Sequence, residues 1–229
     1  MKLLLPPPRP HESPDPPAQA PASSPGTNTR VWLVRHAEVA PEFHGVAYGA
    51  ADVPLSERGR EQSRAVARSF EGERVARIYA SPSERTQEMA QLLAGTTGAT
   101  VTTLDGLREI DRGAWQGGTR EEFRARWHAD AERWWSDPWN WRPAEGECDA
   151  EVFARAWPAI QRATEDAPGD VCVFCTHANT IRALLTGALG LPSIKGYDLA
   201  TDPAHAHLLV DTEEAWELRE QNLAPGTGE

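Results

Sequence analysis

Three apolar, strand-like runs end on residues able to do chemistry. "VWLVRHAE" (31–38) ends on Arg35 and His36, and "DVCVFCTH" (170–177) ends on His177. "RIYASPSERT" (77–86) reaches Ser81 and then Arg85. Strands are usually bounded by turn formers such as Gly, Asn or Asp, so two imidazoles and two guanidiniums at such ends call for a reason. Guanidiniums are planar, permanently charged forks that suit a dianionic phosphate. A neutral imidazole can take a phosphoryl group on nitrogen. A second imidazole can hydrogen-bond the non-bridging oxygens as charge spreads over them. The departing alkoxide needs a proton, and Glu109 in "LREIDRGAWQG" (107–117) is the candidate donor.

These residues can meet only if the strands lie side by side. The sequence predicts strands at 30–35, 75–80, 100–104 and 170–177, and helices at 56–70, 83–95, 119–135, 149–164 and 178–190. Ser56, Ser83 and Asp149 are the expected N-caps and Gly95 a stop, while Pro158 should kink its helix. "HAHLLVD" and "AWELRE" read as a closing hairpin. Strand–helix alternation implies an α/β fold: three layers, α/β/α, with a mostly parallel central sheet. In such sheets the site lies beyond the carboxyl ends of the strands, where Arg35, His36, Arg85 and His177 would converge.

The chain has 229 residues and a formal net charge of −11. That suits one large α/β domain. The acidic balance argues against nucleic acid or an anionic membrane as partner, and no apolar run is long enough to span a bilayer. The three leucines of "MKLLLPPPRP" are too short for a signal h-region, so a cytoplasmic protein is expected. Residues 1–28 are Pro/Ala/Ser-rich and read as a disordered tail, and 223–229 as a flexible end. Cys148, Cys172 and Cys175 make no disulfide framework. The "CVFC" pair should point to opposite faces of a strand as inert thiols.

The motifs, taken in order, resemble the histidine phosphatase superfamily, the phosphoglycerate mutase-like group, over about residues 30 to 220. "LVRHAE" matches its Arg-His strand end and "DVPLSERGREQ" its Asp-x-x-Leu segment. "YASPSERTQEMA" matches its Ser-Pro-x-x-Arg helix start, and "LREIDRGAWQG" its Leu-x-Glu segment. "EGECDAEVFARAWPAI" and "VFCTHANTIRALL" match its later helix entry and second histidine. The resemblance implies that His36 forms a phosphohistidine and that Arg35, Arg85 and His177 hold the phosphate. Glu109 would protonate the leaving group and then activate water. "GVAYGAADVPL" is similar to phosphatases of small phosphomonoesters, the branch that includes α-ribazole phosphatase. The mutase pattern Glu-Arg-(His/Arg)-Tyr-Gly is absent at 109–113, which read "EIDRG". The chain also departs from the family pattern at Ala37, at Ala178 and Asn179, at Gln116 and at Met89.

A phosphatase acting on a small phosphorylated metabolite, without metal or other cofactor, is therefore the expected activity. The alternatives are phosphoglycerate mutase-type transfer and a non-catalytic phosphate-binding module. A metal site built from His36, His44, His177, His205 and His207 is disfavoured, because no His-Glu-x-x-His pattern or carboxylate cluster accompanies them. His205 and His207 should face solvent together from one strand. Five of the nine tryptophans fall in 127–143, within a stretch (119–146) that reads either as aromatic core or as a lid on the pocket. Ala178, His44, Tyr48 and Arg142 complete the expected substrate-binding set. A homodimer is compatible with all of this.

Overall fold

The structure is a computed structural model that describes residue 20 and residues 27–226. Most of the expected tail and the last three residues lie outside the described residues. Where the tail is described, it is bonded: Ala20 N donates to Gly187 O at 2.9 Å and Asn28 N to Asp211 O at 2.7 Å. The Thr27 hydroxyl donates to Asp211 Oδ2 at 2.8 Å. Bonds to the rest of the domain thus include residues before 29. Leu223, expected in the flexible end, closes the last strand opposite Ala206.

Six strands form one sheet: β1 (Arg30–Arg35), β2 (Val75–Ala80), β3 (Thr100–Thr103), β4 (Val171–Thr176), β5 (Ala206–Asp211) and β6 (Trp216–Leu223). Their order is β3-β2-β4-β1-β5-β6. The first four are mutually parallel, and the hairpin β5–β6 is antiparallel. Helices α1 (Glu57–Ser69) and α2 (Glu84–Thr97) cover one face, packing Val66, Met89 and Leu93 on Val34, Val173 and Cys175. Helices α3 (Arg120–Arg126) and α4 (His128–Ser136) belong to the tryptophan-rich stretch. Helices α5 (Asp149–Asp166) and α6 (Ala178–Leu189) cover the other face, packing Ile160, Ile181 and Leu184 on Leu33, Cys172 and Phe174. Cys172 and Cys175 therefore do face opposite layers, as period-two alternation requires. Burial pushes their thiols up, to about 11 and about 12.

Several helix ends differ from expectation. Gly95 lies inside α2, which instead stops at Gly98, whose φ of +75° only glycine adopts at ease. Ser83 makes no side-chain cap, and Asp52 Oδ1 accepts the Glu84 N–H at 3.0 Å in its place. Cys148 rather than Asp149 precedes α5, with the Glu151 carboxylate reaching back to its N–H at 2.9 Å. The helix expected over 119–135 breaks at Trp127, whose backbone leaves the helical region (φ −122°, ψ 22°) while its ring packs on Phe123, 5.1 Å between centroids.

His207 also departs from expectation. It is fully buried in β5, because it stands opposite Leu33 on the strand face that carries Leu209 into the core, whereas His205 is half-buried and precedes the strand. The Asn222 N–H donates to its Nδ1 at 3.4 Å, which leaves the proton on Nε2, an atom with no partner. Burial, then the positive charge of Arg182 and of His205, push its pKa down to about 4. A depressed folded pKa means that the unfolded chain binds the proton first as pH falls below about 6.5. The stability His207 contributes is complete above pH 6.5 and lost on the way down to about pH 4, roughly 3 kcal/mol in all. Urea unfolding at pH 7 and pH 4.5 should show a smaller acid loss in His207→Gln than in the parent protein. Equal losses would remove His207 from the account.

Candidate active site

β1 and β4 are neighbours in register, Arg35 opposite Thr176, so the residues that follow each strand emerge together. His36 extends the ladder by donating its N–H to Thr176 O at 2.9 Å, and Ser81 N–H does the same to Cys175 O at 3.0 Å. The imidazoles of His36 and His177 stand 5.2 Å apart between centroids. His36 Nδ1 lies 2.8 Å from Ala37 O. A carbonyl only accepts, so Nδ1 carries the hydrogen and Nε2 keeps its lone pair. Burial, reinforced by the charges of Arg35 and Arg85, holds His36 well below the usual histidine range. It is neutral at physiological pH.

Arg85 enters in the first turn of α2. Its Nη2 donates to His177 Nδ1 at 3.2 Å and its Nη1 to Ala51 O at 3.0 Å. His177 must then donate through Nε2, and Ser81 Oγ accepts at 2.8 Å. Burial pushes His177 down as well, with Arg85 and His36 adding to it. Arg85 lies across the Tyr48 ring, 5.3 Å to the centroid. Arg35 is buried and tied to Thr201 O at 2.6 Å. Four of the expected groups thus form one buried cluster in which both guanidiniums are cationic and both imidazoles neutral.

Glu109 arrives from the loop after β3 and meets the N-terminus of α6. Its Oε1 accepts from Ile110 N at 3.0 Å and Thr180 N at 3.2 Å, and its Oε2 from Asn179 Nδ2 at 3.2 Å. The loop is held from outside: Arg155 of α5 donates to Gly106 O at 2.6 Å, Arg108 O at 2.9 Å and Glu109 O at 3.2 Å. It also pairs with the Glu147 carboxylate at 2.8 and 2.9 Å. No sequence signal marks Asn179 or Arg155 as part of the site. Both hold Glu109 in place.

Beside this cluster is a cavity of about 70 Å³ whose wall includes Arg35, Tyr48, Glu109, Ala178, Trp134 and Trp135. Tyr48 and Ala178 therefore lie where expected. His44 and Arg142 do not. His44 is exposed, its Nε2 2.9 Å from Val39 O. Arg142 is drawn outward into an ion pair with Glu151 at 2.5 Å. Just beyond Arg142 the chain is pinched, where Ala114 N–H donates to Ala144 O at 2.8 Å. A Cβ on Gly113 would stand 2.1 Å from that same oxygen. The stretch 119–146 is both core and wall: Trp134 and Trp135 pack with Trp115, Phe123 and Tyr197 and line the cavity, whereas Trp127, Trp139 and Trp141 do not line it.

The departures from the family pattern are accommodated. Ala37 is buried in the core and outside the positive-φ region, so no glycine is needed there. Asn179 supplies a donor to Glu109. Gln116 donates to Tyr48 O, and Met89 fills the core beneath α2.

A profile described as Histidine phosphatase superfamily (branch 1) matches residues 31–224. The chain belongs to that superfamily. Phosphoserine phosphatase 1 of Hydrogenobacter thermophilus is 30% identical over 175 residues, 76% of this chain and 83% of that protein. A probable phosphoglycerate mutase GpmB of Yersinia pestis is 29% identical over 168 residues, 72% of this chain and 76% of that one. A mycobacterial glucosyl-3-phosphoglycerate phosphatase solved with VO3 superposes at a TM-score of 0.78 with 28% identity, covering 85% of this chain and 98% of that one. In this histidine phosphatase, no helix among the described residues is long and apolar enough to cross a membrane.

Proposed function

We propose that the protein hydrolyses a small phosphorylated metabolite through a phosphoryl group carried on His36 Nε2. The observation that carries this reading is the neutral His36 imidazole 5.2 Å from His177, with Arg85 bonded to the latter. Nε2 attacks phosphorus as the P–O bond to the leaving group breaks. Arg35 and Arg85 balance the dianion, and His177 meets the charge that spreads over the non-bridging oxygens. The Glu109 carboxyl gives its proton to the leaving alkoxide. The resulting carboxylate then takes a proton from water, whose oxygen attacks the phosphohistidine and frees inorganic phosphate. The arginines supply the positive charge that a metal supplies in other phosphatases, so turnover should persist in EDTA.

The phosphatase names among its relatives support hydrolysis, and likeness to a probable phosphoglycerate mutase supports the same transfer returned to an acceptor. Hydrolysis is the better fit because the "EIDRG" sequence at 109–113 lacks the mutase pattern. A pure binding module would have no use for the buried Glu109, held by Ile110, Asn179 and Thr180. Rapid alkaline quench during turnover of p-nitrophenyl phosphate, with EDTA present, is expected to trap one phosphoryl group on His36 that survives base and is released by acid. Turnover with no adduct on His36 would overturn the proposal.

A further inference from the structure

Arg182 lies on α6, one turn beyond the groups that hold Glu109, and is 6% exposed. It lines the cavity. Among the described residues its guanidinium makes no hydrogen bond and no ion pair, and its buried Nε has no partner. The guanidinium lies over the face of Tyr197, 5.4 Å from Cζ to the ring centroid. A cation kept out of water normally sits in a paired, hydrogen-bonded arrangement. A ring face offsets only part of that cost. Asp149 accepts from the Tyr197 hydroxyl through Oδ1 at 2.9 Å, and burial pushes its carboxyl up to about 7.

Arg182 is not alone on this wall. Arg112 lies over the Trp134 ring at 5.4 Å, and its guanidinium likewise has no hydrogen bond or ion pair among the described residues. The indole N–H groups of Trp134 and Trp135, both on the same wall, are buried without acceptors. Arg35 and Arg85 suffice for the phosphate, and Glu109 is tied up by its own donors. What remains is a cavity with two spare cations and two spare N–H donors. An ammonium placed there would bring donors to donors, and a hydroxyl could accept one hydrogen bond but would leave both positive charges unmatched. An acceptor-only anion matches them, and a carboxylate fits a guanidinium fork through two parallel hydrogen bonds.

We propose that Arg182, assisted by Arg112, binds a carboxylate carried on the body of the substrate, so that the substrates are short phosphorylated carboxylic acids. This rests on the phosphomonoesterase reading and narrows it. The cavity of about 70 Å³ has room for several water-sized groups, in keeping with a short acid.

The test uses two esters that differ in one group: 3-phosphoglycerate, with a carboxylate, and glycerol 3-phosphate, with a hydroxymethyl in its place. The parent enzyme should prefer the acid by about 10- to 100-fold in kcat/KM, the range of a charged hydrogen bond. Most of the difference should lie in KM. Arg182→Met should lower that ratio at least about tenfold, Arg182→Lys should keep part of it, and Arg112→Met should lower it less. The ratio in the parent enzyme needs no variant, so the inference stays testable even if Arg182→Met fails to fold. Equal or inverted preference in the parent, or a ratio unmoved in folded Arg182→Met, overturns it. Release of phosphate from neither ester nor from p-nitrophenyl phosphate instead overturns the phosphomonoesterase reading.

Discussion

Replacing His36 with alanine should lower kcat on every phosphomonoester by about 10⁴-fold or more, the scale seen when an enzyme loses its nucleophile. The loss follows from geometry. His36 Nε2 is the free lone pair of an imidazole whose other nitrogen is fixed on Ala37 O. No other side chain of the cluster can replace it: the guanidiniums are cations, and the lone pair of His177, on Nδ1, is spent on Arg85, which leaves it only an N–H on Nε2 to turn from Ser81 to a phosphate oxygen. The fold should survive, since Ala37 and the β1–β4 ladder, not the imidazole, make the core contacts here. Steady-state phosphate release together with circular dichroism checks both parts. A folded His36→Ala enzyme with more than about a hundredth of parental kcat would exclude His36 as nucleophile.

Glu109→Gln should cost about 10²- to 10⁴-fold on alkyl phosphates, the usual worth of a positioned general acid. On p-nitrophenyl phosphate the loss should be much smaller in phosphoryl transfer to the enzyme, because nitrophenolate departs without a proton. Single-turnover release of nitrophenol isolates that step. Glutamine also turns an N–H₂ toward donors that now reach a carboxylate from Asn179, Ile110 and Thr180, so some loss common to both substrates is expected. The contrast between the two leaving groups separates proton donation from disturbed packing. Equal losses on both would reassign Glu109 to positioning.

Much of this arrangement is legible in the amino-acid sequence, because strand ends and cap signals are local. Apolar runs closed by Arg35–His36, Ser81 and His177 locate the sheet edge, and parallel neighbours in register bring them together. The rest depends on surroundings rather than spacing. α6 is buried on every side from Ala178 to Ala188, so its sequence carries no polar face, and Arg182 and Asn179 cannot be told from core positions by periodicity. Placing His205 and His207 on one solvent face presumes that their side of the strand is wet, and the side that carries His207 is the one that packs Leu33 and Leu209 in the core. Nearness in sequence groups His44 and Arg142 with the pocket, but His44 is exposed and Arg142 pairs with Glu151. Arg155 acts across forty-six residues on a loop it never adjoins in sequence, an association that only folding reveals.

The pinch beyond Arg142 has an evolutionary consequence. Residues 114 to 144 form an excursion whose two ends meet where Ala114 N–H donates to Ala144 O, while the imidazoles, Arg35 and Arg85 remain on the sheet and its first helical turns. An exchange of the excursion between relatives could reshape the walls around Trp134 and Trp135 and leave the reacting atoms untouched. Selection on what is recognised and selection on how phosphorus is handled would then proceed largely apart, joined chiefly at Arg182.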